Sequence, residues 1–332
     1  MQASCPTLSF FHSPKFLQIS LHIISAVGIP IYIFGGYCIL CKTPNQMNLV
    51  KLVIFNLHFW STLMDLFMGL FVAPFILLPS MSGFPMGLLG YLDVNIPFQI
   101  YVMLTVIVLT GVAILHIFEN RYNTIIFEFS SRKVRRALFF IFNYLLAFTF
   151  VIPTILRIPN QSEAIKIVKE QFPCEVDENR FFVLALDVRV THYSVIITSS
   201  LIEGQIIYFV IRLLMNLSGK DDRKSERTRN LQKRLFRAIC IQVTIPVLLM
   251  FIPFLFVIIQ VSLEYHNQAQ TNISLCLLSL HGLISTIVML IVHKPYRDAT
   301  LNILAASKLF QKNTNNNSEP TRNSVPFLIV TT

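Results

Sequence analysis

Charged side chains make up only 13% of these 332 residues, far too few to clothe a soluble domain of that length. Acids are the scarcer sign, 17 against 27 lysines and arginines, which leaves a net charge of +10. No internal repeat recurs at a short period, and no inverted pair of Gly- and Pro-broken segments marks a transporter. None of the eight histidines stands in an H-x-x-x-H box with a following Glu. No phosphate-binding Gly loop occurs, and no serine has a matched base near it. The six cysteines include a single C-x-x-C, Cys38 to Cys41 at the end of an apolar run, and no second pair that would complete a metal-ligand set. Metal, cofactor and enzyme activity therefore all drop out of the expectation. The amino-terminal stretch has neither a basic n-region nor a cleavage site, so the first apolar run is expected to stay as a helix.

What the chain has in excess is apolar sequence, 54% of it, gathered into long runs. The run from Asn272 to Arg297, NISLCLLSLHGLISTIVMLIVHKPYR, holds about twenty uncharged residues, enough to cross a bilayer core of roughly 30 Å. Gly282 and the small residues Ser279, Ser285 and Thr286 offer a neighbouring helix a close approach. Pro295, without an amide proton, ends this helix or kinks it into a juxtamembrane segment. Six further runs precede it. The expectation is an all-α membrane protein, a seven-transmembrane helix bundle with spans near 19–40, 52–78, 96–118, 138–157, 190–214, 238–262 and 272–293. Residues 1–18 form an outer segment and 294–332 a tail, whose polar stretch 311–324 is expected to be disordered.

Lysine and arginine set the orientation. With the amino end outside, the inner segments carry 21 of them and the outer segments 6, so the carboxyl end lies in the cytoplasm. Their placement in short loops points to topology and membrane lipids, and away from nucleic acid. In the long outer segment EAIKIVKEQ makes a turn or two of amphipathic helix, and Asn160-Gln161-Ser162 is a candidate glycosylation site. Cys5 and Cys174 are the two cysteines in the outer space and form a candidate disulfide. The run 220–237 continues helix six below the membrane as a basic amphipathic segment.

Ionisable groups within the membrane are costly, so each is a candidate. Asp65 on helix two and His281 on helix seven lie at matching depths, with His58 on the same stripe as Asp65. Asp65, His281 and Ser285 form either an interior switch or a fixed hydrogen-bond network. Glu203, midway along helix five, touches ligand, binds a proton or bonds to a neighbouring helix. Gln99 and Tyr101 on helix three, His192 and Tyr193 on helix five and Gln260 on helix six are the candidate contacts for a small ligand. At the inner end of helix three, Glu119 and Arg121 are two residues apart and cannot face each other, so Arg121 needs another partner. Three readings fit: a ligand-driven conformational switch, a transporter or ligand-gated ion channel, and an intramembrane enzyme. Only isolated polar residues line the apolar runs, which favours the switch.

Several stretches resemble the nematode serpentine receptors of class h, within the larger group of seven-helix chemoreceptors. They are CILCKTPNQMNLVK, NLHFW with the following Asp65, GVAILHIFENRY, QFPCE, TRNLQKRLF followed by CIQVTIPVLL, and HGLISTIVMLIVHKPYR. The resemblance covers most of residues 20–300 and implies a GPCR-like fold. It also implies a plasma-membrane receptor of ciliated sensory neurons, one that detects a small environmental molecule and signals through a heterotrimeric G protein. Glu119 to Tyr122, ENRY, stands where rhodopsin-like receptors have an acid-Arg-Tyr motif, with Asn120 inserted. By that resemblance Glu119, Arg121, Tyr122, Arg234 and the closing Pro295, Tyr296 and Arg297 are the residues expected at the G-protein face. Helix three has no cysteine at its outer end, so the disulfide common in rhodopsin-like receptors has no place here.

Overall fold

The structure, a computed structural model, describes residues 9–126, 133–172, 181–218, 226–303 and 305. Seven long helices dominate it. Helix α1 (Pro14–Lys42) starts ahead of its apolar run because Ser13 caps it, accepting from the Phe16 amide at 3.1 Å, with Pro14 in the first turn. Helix α2 (Asn48–Leu66) widens into a π turn over Phe67–Phe71, where the Val72 amide reaches back five residues to the Phe67 carbonyl. The expectation that this helix continues to residue 78 fails. Ala73 turns into the left-handed region at φ 43°, and Pro74 offers no amide to carry the ladder on.

Helix α3 (Ile96–Ile126) runs well past residue 118, because its charged ENRY segment stays helical. Helix α4 (Lys133–Thr149) begins earlier than its apolar run and is followed by a single turn, Ile152–Ile155, with Pro153 in the first-turn position that tolerates it. Helices α5 (Arg189–Ser218) and α6 (Glu226–Ser262) follow, and α6 includes residues 226–237 of the basic segment, whose first residues, 220–225, lie outside the described ones. Helix α7 (Gln268–Val292) is interrupted at Leu280, between the halves Gln268–Ser279 and His281–Val292. After His293 a further helix, α8, occupies residues 294–303, so Pro295 opens a new helix and the chain bends there.

Among the described residues six helices are long and apolar enough to cross a membrane, and α6 adds the apolar stretch Val247–Ser262. In α3, 61% of the apolar window is buried, against 17% in α5. So α3 runs through the middle of the bundle and α5 stands at its edge. Helix α3 packs on α2 and α5, α6 packs on both halves of α7, and α5 meets α6 only sparsely.

One end of the bundle carries a roof. Strands β1 (Pro74–Leu77), β2 (Ser82–Pro85) and β3 (Phe182–Val183) form an antiparallel sheet in that order, with Leu77 opposite Ser82 and Ser82 opposite Val183. Its edges are tied down. The Gln161 amide exchanges two hydrogen bonds with the Val183 backbone, at 2.9 and 3.1 Å. On the other side Gln268 donates to the Ile76 carbonyl at 3.1 Å, and His266 meets the Leu78 carbonyl at 2.7 Å. Gln161 belongs to a helix, Gln161–Gln171, that is longer than the turn or two expected and buries Ala164 and Val168 against the same core.

Candidate functional site

Under the roof lies a cavity of about 330 Å³, at the lower end of the range that small-ligand pockets span. Its ceiling is Phe75, Phe84 and Phe182 from the sheet, and its walls come from α3, α5, α6 and the first half of α7. Almost all of the wall is aliphatic or aromatic.

Of the five ligand candidates, Gln99 and His192 line this space. Gln99 is buried, and its amide nitrogen donates to the Val94 carbonyl at 2.7 Å. That bond fixes which way the amide points and leaves Oε1 buried without a hydrogen-bond partner among the described residues. His192 is half-buried and meets the Ser262 hydroxyl at 3.2 Å, joining the ends of α5 and α6. The other three do not line the cavity. Tyr101 donates to the Phe148 carbonyl at 2.9 Å and ties α3 to α4. Tyr193 is 61% exposed. Gln260 accepts from Thr271 at 3.0 Å and ties α6 to α7.

Asp65 holds the break in α7. Its carboxylate accepts from the amides of Gly282 and Leu283 at 3.0 and 2.8 Å, and from the Tyr32 hydroxyl at 2.6 Å. The two amides belong to the first turn of the half beginning at His281, so an α2 side chain caps a helix start inside the membrane. The close fit depends on Gly282, where a Cβ would lie 2.5 Å from the Ser61 carbonyl oxygen. His281 is buried, but its imidazole has no hydrogen-bond partner among the described residues, so it does not bond to Asp65. Ser285 is buried one turn further along. Next to them His58 bridges the Tyr32 carbonyl, at 3.0 Å, and the Thr286 hydroxyl, at 3.3 Å. Glu203 belongs to neither group. It is exposed on α5 at the edge of the cavity.

At the opposite end from the roof, Glu119 and Arg121 do point apart. Glu119 accepts from Arg136 of α4 through both oxygens, at 2.7 and 2.8 Å. Arg121 is buried, with Nε and one Nη lacking any hydrogen-bond partner among the described residues. Tyr122 packs at a tilt against Tyr208 and Phe209 of α5. Tyr296 is fully buried, its hydroxyl 2.8 Å from that of Thr43, among Cys38, Ile39, Val50 and Met289. Arg297 is exposed and reaches the Ile291 carbonyl at 3.3 Å. Pro295 stands in the first turn of α8, and the Arg234 side chain falls outside the described residues.

A family model for serpentine type 7TM GPCR chemoreceptors, Srh, matches residues 12–306. The chain belongs to that family. Serpentine receptor class H-72 of Caenorhabditis elegans is 28% identical over 314 residues, which are 91% of this chain and 90% of that protein. The crystal structure of squid rhodopsin superposes with a TM-score of 0.55, covering 96% of this chain and 95% of that one at 13% identity. At that identity the likeness speaks for the fold alone. The receptor is thus a multi-pass membrane protein with the seven-helix fold of a GPCR, and it is not an enzyme.

Asn160 is exposed and caps the helix Gln161–Gln171, its carbonyl accepting from the Ser162 amide at 3.2 Å. Cys5 and Cys174 lie outside the described residues. Two participants left no readable trace in the sequence. Tyr32 is one tyrosine among ten, and only its position one turn above Gly28 and across from Asp65 gives it a role. The roof strands hide in a Gly- and Pro-rich loop, where period-2 alternation is too short to register.

Proposed function

We propose that this chemoreceptor binds a small environmental molecule in the roofed cavity and passes the event to a heterotrimeric G protein at the opposite end. The observation that carries this reading is the placement of Leu278. It lines the cavity two residues before the Leu280 break, and the half of α7 beyond that break hangs from Asp65. Ligand contact on Leu278 therefore bears on a helix joint that has a single carboxylate as its clasp. Beyond the joint, Met289 and Leu290 pack with Tyr296, close to His293 and Arg121. Two packings of the joint would give the two states that a ligand needs in order to shift a population.

The reading places the roof and Asn160 outside the cell, with Arg121, Tyr122, α8 and the basic extension of α6 toward the cytoplasm. The 21-to-6 distribution of Lys and Arg supports that polarity. Family membership supports the plasma membrane of a sensory neuron as the site of action. The direct test is purified receptor reconstituted with a G protein, screened with volatile and water-soluble compounds for agonist-dependent nucleotide exchange. Ligand-gated current or uptake in the same membranes, without exchange, would show a channel or transporter instead.

A further inference from the structure

Among the described residues lining the cavity, only Glu203 and Phe251 are exposed, one on α5 and the other on α6. These two helices touch only sparsely. The cavity therefore reaches the surface between them. Glu203 lies fourteen residues into α5, roughly 21 Å from its start, and Phe251 lies about 16 Å from the end of α6. Both positions are well inside a hydrocarbon core of roughly 30 Å. Toward the roof, the His192–Ser262 hydrogen bond closes the same seam, and the tethered sheet covers the top. The opening therefore faces lipid tails, while described residues cover the water side.

The chemistry inside matches that route. Among the described lining residues Glu203 at the rim is the one carboxylate, none is lysine or arginine, and His192 is joined to Ser262. Among the described lining residues one buried polar atom lacks a hydrogen-bond partner, Oε1 of Gln99, and it can only accept. We infer that the ligand is an uncharged, lipid-partitioning molecule bearing one hydrogen-bond donor, an aliphatic alcohol in type. It enters from the bilayer between α5 and α6, past Glu203 and Phe251, and donates to Gln99. A cavity of this volume holds a molecule on the order of ten non-hydrogen atoms, at the roughly 30 Å³ each that water occupies. An acid would meet Glu203 at the rim and find no cation within. This inference rests on the cavity being the ligand site, as proposed above.

The test uses full-length receptor in dioleoylphosphatidylcholine nanodiscs and a ten-carbon primary alcohol carrying a mid-chain diazirine, flash-photolysed at set times after mixing. Adducts are expected on the peptides holding Met103 and Met250, and unlabelled 1-decanol should suppress them. Gln99→Leu should weaken competition by 1-decanol roughly fivefold, the size of one neutral hydrogen bond, and leave competition by decane unchanged. Glu203→Trp should slow labelling and wash-out together with little change in affinity, and Phe251→Ala should speed both. Unaltered kinetics in Phe251→Ala would overturn the route. Decanoate outcompeting 1-decanol, or Gln99→Leu leaving 1-decanol unaffected, would overturn the ligand class. Specific labelling with no nucleotide exchange would sustain this inference while sinking the signalling role. Exchange driven by a charged, membrane-impermeant agonist, with no labelling, would sink this inference alone.

Discussion

The Asp65 carboxylate and the Gly282 amide meet at 3.0 Å, joining α2 to α7 where α7 is broken. Because Leu283 and Tyr32 donate to the same carboxylate, three donors converge on one buried side chain. Hydrogen bonds to a charged acceptor contribute about 1.5–3 kcal/mol each in favourable settings, so the cluster is a large local source of stability. Asp65→Asn keeps the size but turns one oxygen into a donor that faces another donor. We expect it to lower the thermal stability of purified receptor by about 2 kcal/mol and to disturb signalling. Tyr32→Phe should be strongly non-additive with it, and His281→Ala nearly additive, because only Tyr32 shares the carboxylate. A double-mutant cycle by thermal unfolding decides this, and additivity of the tyrosine would remove Asp65 from its role as the clasp.

Gly282 predicts a second outcome. An added Cβ there would sit 2.5 Å from the Ser61 carbonyl and 2.8 Å from the Asp65 carboxylate, both on α2. Backbone cannot step aside as a flexible side chain does, so Gly282→Ala should force the helices apart. The expected cost is about 1–3 kcal/mol, read as loss of surface delivery and of thermal stability. Gly204→Ala is the control, since nothing lies within 4 Å of the corresponding position. Equal behaviour of the two variants would argue against close packing at Gly282.

Hydropathy alone located the long helices, because a run of about twenty apolar residues has few other uses. It also singled out Asp65, since an acid in such a run must find partners. It paired Asp65 with the wrong group. Depth along two helices placed His281 level with it, but the donors turned out to be the Tyr32 hydroxyl and two backbone amides, the amides freed only because the chain breaks at Leu280. Nothing in LSLHGLIS announces a break, as it has no proline and its glycine follows the interruption. Likewise charge ended the expected third helix at 118, although Glu119 and Arg121 are both buried within it. The cavity was the least legible feature, since its roof comes from strands that pair across nearly a hundred residues of sequence.

Arg121 and Glu119 should separate by function. Glu119 is engaged by Arg136, whereas Arg121 has buried nitrogens without partners among the described residues, as a group held for use in another state would. Arg121→Ala is expected to abolish nucleotide exchange while leaving surface delivery intact. Glu119→Gln, which weakens a partly exposed ion pair between α3 and α4, should cost at most about 1 kcal/mol of stability and leave exchange measurable. Normal coupling in Arg121→Ala would refute the assignment, and equal loss in both variants would mean that the two residues act as one unit.

His293 is expected to make the protein sensitive to acid at the joint between α7 and α8. The residue is buried, its ring 5.6 Å from that of Tyr296. Burial, and then the nearby positive charge of Arg121, push its pKa from 6.5 down to about 4. The folded protein therefore keeps this imidazole neutral at pH values where the unfolded chain has already taken up a proton. Between pH 6.5 and about 4 the unfolded state binds more protons, so stability falls as pH falls through that window and is unaffected above it. At pH 5 the loss from this one group should reach about 2 kcal/mol. Thermal unfolding of detergent-solubilised receptor at pH 7.5 and pH 5 measures it, with His293→Gln as the variant that cannot titrate. The variant should lose less stability on acidification than the parent, and an identical loss in both would show that His293 is not the group responsible.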